Sequence, residues 1–330
     1  MGAASALFVS PSLFLLGFPG QIFFMRISVL GSSAGGGFPQ WNCNCRNCAG
    51  VRSGAVRCKP RTQSSIFVRP DDSPDGVLFN ASPDILEQIR AKPALQPARG
   101  LRDTAIAGVV LMDGQIDHAT GLFMLRERVG RLPLWCTDAV DADLRDGNPI
   151  FRVLEHYCGV DRHAIALDGT PFAVPGVPGL SLRALPLRSK AAPYSPHREH
   201  AAPGDNIGVT IVDDARGTSL FYAPGLAEIT PAVFDAMANA DAVLVDGTFW
   251  SDDEMPSLGL SHKSARDIGH LPQSGAGGMI EWLDRLPART RRLLIHINNT
   301  NPILDEDSPQ RATLALHAIE VCEDGMTIAL

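Results

Sequence analysis

Basic residues do not outnumber acidic ones in this chain: 29 Lys and Arg stand against 36 Asp and Glu over 330 residues, a formal net charge of −7. That balance lacks the electrostatic footprint of a nucleic-acid binder. No long run of one charge sign supplies a membrane-surface patch. The glycine-rich stretch GSSAGGG (31–37) has neither the Lys-Ser/Thr ending of a phosphate-cradling loop nor the acid context of a dinucleotide site. Short-period repeats and low-complexity tracts are absent. So is an even cysteine set: of Cys43, Cys45, Cys48, Cys58, Cys136, Cys158 and Cys322, three crowd one loop and the rest are scattered. An odd count so arranged fits a disulfide framework badly, and points to a reducing, cytoplasmic setting with a metal-binding loop.

What is present is the composition of an ordinary globular protein, 45% hydrophobic and 20% charged, with ample length for a large core. The first 24 residues are apolar, but Pro11, Gly17, Pro19 and Gly20 interrupt them and no Lys or Arg precedes them. A secretory signal wants a basic start, and a membrane span wants about 20 mostly apolar residues. Residues 1–24 are therefore expected to be a start assigned too far upstream or a disordered appendage, with a weak signal or anchor as the lesser reading. No stable membrane insertion is expected, and residues 25–330 are expected to form one domain.

Within that span, short strands alternate with helices. RISVLG (26–31) reads as a strand, and SSIFVRP (64–70) with GVLFNAS (76–82) as a hairpin. A helix follows, with Ser82 as N-cap and Pro83 in its first position. IAGVVLM (106–112) is a strand buried on both faces, and GLFMLRERVG (121–130) a helix. IGVTIVD and TSLFYAPG form a second hairpin, TPAVFDAMANA (230–240) a helix, and DAVLVDGTF (241–249) a buried strand ending in an acid. LLIHIN (293–298) is a last strand, with Leu294, His296 and Asn298 on one face. The irregular stretches 183–206 and 250–275 are candidate functional loops.

Two constellations carry chemistry. Cys43, Cys45 and Cys48, spaced C-x-C-x2-C, present three thiolates to one centre. Zinc favours four ligands with sulfur in structural sites, so the loop reads as a structural zinc site. Its fourth ligand is left open between Cys58 and a side chain from a distant strand, such as Asn299. The second constellation, LMDGQIDHATGL (111–122), puts Asp113, Gln115, Asp117 and His118 at the end of a buried strand, where open α/β sheets gather ligands. An ordinary polar turn with Asp117 capping a helix is the rival reading. His296 favours metal, because a histidine on an aliphatic strand costs burial energy without a partner.

GSSAGGGFPQWNCNC, RTQSSI, QIDHATGL, APYSPHR, GDNIG and HINNTNPIL, taken in order, resemble the pyrroloquinoline quinone biosynthesis protein B family of the metallo-β-lactamase superfamily, over 25–330. The resemblance implies an α/β fold: an αββα sandwich of two mixed β-sheets flanked by helices. The superfamily's usual H-x-H-x-D-H motif keeps its last pair as Asp117 and His118, while its first two histidines fall on Asp113 and Gln115. The acid usually shared between two metals falls at Pro224 and Gly225. A two-zinc hydrolase is thus poorly supported. Asp117, His118 and His296 remain, the composition of a facial triad for Fe(II), with zinc an alternative.

The family implies an iron-dependent hydroxylase that uses O2 on the tyrosine ring of a cross-linked Glu–Tyr, peptide-derived small molecule. Lys190, His197 and Arg198 could grip its carboxylates, Asn298 could donate to substrate or bound oxygen, and Asp246 and His270 could orient ligands or substrate. Arg61 and Ser64 read as surface residues. Two rival functions remain: a phosphodiesterase-like hydrolase with two metals, and a non-enzymatic carrier of the quinone or its precursor. A homodimer is compatible with the sequence.

Overall fold

The computed structural model describes residues 24–330, so apart from Phe24 the apolar leader lies outside the described residues. The chain builds two sheets. The first holds β1 (Met25–Gly31), β2 (Ser65–Pro70), β3 (Gly76–Phe79), β4 (Ile106–Val110), β5 (Leu132–Cys136) and β6 (Val160–Ala164). The second holds β7 (Leu180–Pro186), β8 (Ile207–Asp213), β9 (Ser219–Ala223), β10 (Ala242–Asp246), β11 (Arg291–Ile295) and β12 (Ile319–Val321), and β13 (Thr327–Ala329) returns to pair with β1. Strand order is β13-β1-β2-β3-β4-β5-β6 in one sheet and β12-β11-β10-β9-β8-β7 in the other. Both are mixed: β3 to β6 run parallel beside antiparallel hairpins, and so do β9 to β12.

Strand periodicity explains the layering. Met25, Ile27 and Val29 of β1, Ala242 and Leu244 of β10, and Leu293 and Ile295 of β11 share the core between the sheets. The alternate residues Val243, Val245 and Leu294 join a second core beneath the outer helices. Two-sided burial is why β10 reads as an unbroken apolar run. Each fully buried Val or Leu contributes about 1.5–3 kcal/mol, which makes these strands the rigid floor of the site. The result is the expected αββα sandwich of two mixed sheets flanked by helices. Among the described residues, no helix is long and apolar enough to cross a membrane.

Several local expectations shift. The helix expected after Ser82 starts at Ile85, because the Ser82 hydroxyl accepts from Asp84 N and holds a turn before the helix. The helix expected over 121–130 is a 3-10 segment, Thr120–Leu125. Gly121 N donates to Ala81 O, and a Cβ there would lie 2.0 Å from Ser82 O, so this backbone packs too closely to continue an α-helix. Residues 183–186 belong to β7 rather than to a loop. Arg61 and Ser64 are buried, the Arg61 guanidinium reaching Ser32 Oγ and the Cys322 carbonyl. LLIHIN is not the last strand, and it stops at Ile295, where His296 turns to a φ of 60°.

Candidate active site

Three loops leave the carboxyl ends of parallel strands on one edge of the sandwich: after β4, after β10 and after β11. A fourth, the glycine loop after β1, is stitched to them, since Ala34 N donates to Ile297 O and Ile297 N to Ser32 O. Asn298 N donates in turn to Thr248 O, which locks the β11 loop to the β10 loop. The left-handed turn at His296 ends the strand alternation that the sequence reading extended to Asn298. For a non-glycine residue that conformation is uncommon and carries a cost.

At this edge the side chains converge in pairs of holder and held. His118 is 2% exposed, and its Nδ1 donates to both Asp113 oxygens at 2.8 and 2.9 Å. Its Nε2 is buried without a hydrogen-bond partner and lies 3.8 Å from Asp117 Oδ2. His296 Nδ1 lies 2.9 Å from Thr248 Oγ1, which donates to Asp246 Oδ1 at 2.6 Å. That network assigns the Nδ1 proton to His296 and leaves its Nε2 lone pair 3.2 Å from the same Asp117 oxygen. A cation is what two imidazole lone pairs and one carboxylate require in order to meet in a buried place. The residues Asp117, His118 and His296 therefore fit the group their pattern implies.

Electrostatics agree. Burial works against charge on His118, but Asp113 and Asp117 outweigh it and raise the ring to about 9. Burial likewise opposes ionisation of Asp117, and the two histidines overcome it to hold its carboxyl well below the usual range. Asp113 and Asp117 thus favour positive charge where the two imidazoles meet, a proton on His118 in the absence of a metal and a cation in its place. Asp113, standing where the superfamily motif has its first histidine, spends both oxygens on His118, and Gln115 offers an amide. The positions that hold the superfamily's first metal therefore offer no histidine; Asp246, His270 and His296 also lie within ligand distance of one another, but Asp246 is already engaged by Leu226 N, Thr248 N and His270 Nδ1.

The remaining residues divide. Lys190, Arg198, His270 and Asn298 line, with the triad, a cavity of about 240 Å³. Asp246 does not reach it: fully buried, it accepts from Leu226 N, Thr248 N and His270 Nδ1, and so acts by positioning rather than by touching substrate. His197 is also outside the lining. Its Nε2 bonds Asp205 Oδ1 at 2.6 Å and its Nδ1 Ser195 Oγ at 3.1 Å, tying the 187–206 loop to itself. Asn298 lines the cavity while its Nδ2 donates to Thr300 Oγ1 at 2.6 Å and lies 3.7 Å from Met255 Sδ. A larger groove of about 720 Å³ near Leu101 and Val129 contains none of these residues.

Sequence reasoning missed Thr248, and Asp113 as the holder of His118. Thr248 stands in the DGTF motif two residues after Asp246, which was the available signal.

Beside the cavity, the thiols of Cys43, Cys45 and Cys48 gather with Asn299, whose Nδ2 lies 3.0 Å from Cys43 Sγ and 3.4 Å from Cys48 Sγ. Cys58 is not in this group and contacts Val56 O instead. Of the two sequence candidates for a fourth partner, the structure brings in Asn299. Burial pushes the Cys45 thiol up to about 11, a cost that a cation among the three sulfurs would offset.

Residues 76–297 match the family model described as "Beta-lactamase superfamily domain". The chain is 64% identical over 306 residues to the coenzyme PQQ synthesis protein B of Azoarcus sp. (strain BH72), covering 93% of this chain and all of that one. Its fold is similar to that of Zn(2+)-bound PqqB from Methylobacterium extorquens, with a TM-score of 0.84 and 37% identity, covering 93% and 100% of the two chains. A diphosphatase of the PhnP family shares the fold at 17% identity and a TM-score of 0.63, over 93% and 98%.

Proposed function

Because this chain belongs to the coenzyme PQQ synthesis protein B family of the β-lactamase superfamily, we propose that it is a metal-dependent enzyme of PQQ biosynthesis that hydroxylates the tyrosine ring of a cross-linked Glu–Tyr intermediate, using Fe(II) and O2. The observation that carries this reading is the buried, unpartnered Nε2 of His118, set against Asp117 and His296, with Asp113 and Gln115 in place of the histidines that would hold the superfamily's first metal. Bound by these three residues, Fe(II) would supply the redox chemistry that dioxygen needs.

The protein's own groups do the rest. Asp113 and Thr248 fix the tautomers that leave both Nε2 atoms free. Lys190 and Arg198 bring positive charge to the cavity wall, matched to a substrate with several carboxylates. Phe249 and Ile268 line the same cavity and restrict water around an aromatic ring. In the balanced reaction one ring C–H becomes C–OH and the other oxygen atom leaves as water. Two electrons and two protons therefore come from an added reductant.

The test is oxygen uptake by anaerobically prepared protein carrying one equivalent of Fe(II), with the Glu–Tyr compound and ascorbate, and products weighed by mass spectrometry. A gain of one oxygen atom that disappears in His118→Ala and His296→Ala is expected. Unchanged substrate with tightly bound quinone would establish the carrier instead, and oxygen-independent phosphoester cleavage with two zincs the hydrolase.

A further inference from the structure

Behind the cavity wall formed by Asn298 runs a short chain of hydrogen bonds whose direction the chemistry fixes. Glu254, 7% exposed in the helix Glu254–Ser257, accepts from Trp250 N through Oε2 at 2.7 Å. Its Oε1 accepts from Thr300 Oγ1. A threonine hydroxyl has one proton, so Thr300, having given it to the carboxylate, can only accept from Asn298. Asn298 Nδ2 accordingly donates to Thr300 Oγ1 at 2.6 Å, with Met255 Sδ at 3.7 Å. The amide oxygen of Asn298 accepts nothing among the described residues and is not a buried atom, and Asn298 itself lines the cavity.

We propose that Glu254, acting through Thr300, holds the Asn298 carbonyl oxygen towards the cavity, so that this wall selects a hydrogen-bond donor on the ligand. Resting on the substrate class proposed above, the donor is a phenolic hydroxyl or an ammonium group. Glu254 and Thr300 touch neither ligand nor candidate metal ligand, so both are positioning residues. Glu254→Gln reverses the relay without changing its shape. The glutamine oxygen must serve Trp250 N, its amide then donates to Thr300, Thr300 donates to Asn298, and the Asn298 amide protons turn to the cavity. Thr300→Val cuts the relay, and Thr300→Ser keeps it.

The orientation is read first without ligand, by NMR of full-length protein labelled with 15N-asparagine at pH 8.5, above the value of about 7 to which burial raises Glu254. An Asn298 side-chain amide proton that is shifted downfield and slow to exchange is expected in the wild type and in Thr300→Ser, and lost in Thr300→Val and Glu254→Gln. A solvent-like signal in the wild type overturns the proposal.

Selectivity is read by calorimetry on zinc-loaded protein, where no turnover occurs, with the Glu–Tyr compound, its O-methyl ether and its N-acetyl derivative. One blocked compound is expected to bind the wild type about tenfold more weakly, the ether if the phenol is the donor and the acetyl derivative if the ammonium is. That gap closes to within about twofold in Thr300→Val and Glu254→Gln and persists in Thr300→Ser. A gap unchanged in the first two variants, or absent from the wild type, overturns the selectivity. If none of the compounds binds the wild type, the proposed substrate class is wrong, and the amide spectrum alone decides the relay.

Discussion

Replacing Asp113 tests whether His118 is held as a ligand or merely buried. Both Asp113 oxygens lie within 2.9 Å of His118 Nδ1, and one of them also accepts from Gln115 N. Asp113→Ala removes every acceptor for the Nδ1 proton in a site where His118 is 2% exposed. The ring is then free to move its proton to Nε2, which abolishes the lone pair facing Asp117. Loss of such an orienting partner costs about 10–100-fold in metal affinity, equivalent to about 1.4–2.8 kcal/mol. Asp113→Asn should fall between wild type and alanine, because its single oxygen can still serve both Gln115 N and Nδ1 while its amide nitrogen opposes the ring. The assay is competition for Zn(II) or Fe(II) against a chromophoric chelator, after the thiol site has been filled. An alanine variant within threefold of the wild type would refute the tautomer argument, and so would an asparagine variant weaker than alanine.

Cys48→Ser should cost one equivalent of tightly bound zinc and lower the melting temperature by at least about 5 °C, measured by metal analysis and calorimetry on the same sample. Retention of that zinc would remove Cys48 from the site. Gly121→Ala, whose Cβ would lie 2.0 Å from Ser82 O and 2.6 Å from Ala81 O, should destabilise by about 3 kcal/mol in urea. Gly100→Ala, which meets only Arg102 O at 3.9 Å, should change stability by less than about 0.5 kcal/mol. The His197–Asp205 bond raises His197 above its ordinary value, so the stabilisation is present below pH 6.5 and fades as pH rises through the raised value. Hydrogen exchange of residues 187–206 should therefore quicken above neutrality beyond its intrinsic rate, and His197→Ala should abolish that extra dependence.

What the sequence discloses follows from how local the signal is. Asp117 and His118 are neighbours at the end of an apolar run, and His296 is a lone imidazole on another, so adjacency and contrast reveal all three. Lys190 and Arg198 reach the cavity as their loop composition suggests, but His197 between them does not, because Asp205, eight residues on, captures it. Thr248 acts through a hydroxyl shared between Asp246 and His296, a relation across 48 residues that no spacing announces. The helix expected over 121–130 fails for a comparable reason. Its residues favour the helix, and the carbonyls of Ala81 and Ser82 pressing on Gly121 do not.

The bond between the thiol loop and the β11 loop bears on how metal dependence can be established at all. Asn299 turns its side chain to the three sulfurs while its backbone oxygen accepts from Asn47 Nδ2, and three residues before it stands His296. Were zinc held by the cysteines, an agent that strips it would loosen the peptide that places His296 in the other cluster. Inactivation by a chelator or by a thiol reagent, ordinarily offered as proof of a catalytic metal, is ambiguous here. Each site has to be emptied and refilled separately before a loss of activity names the ion responsible.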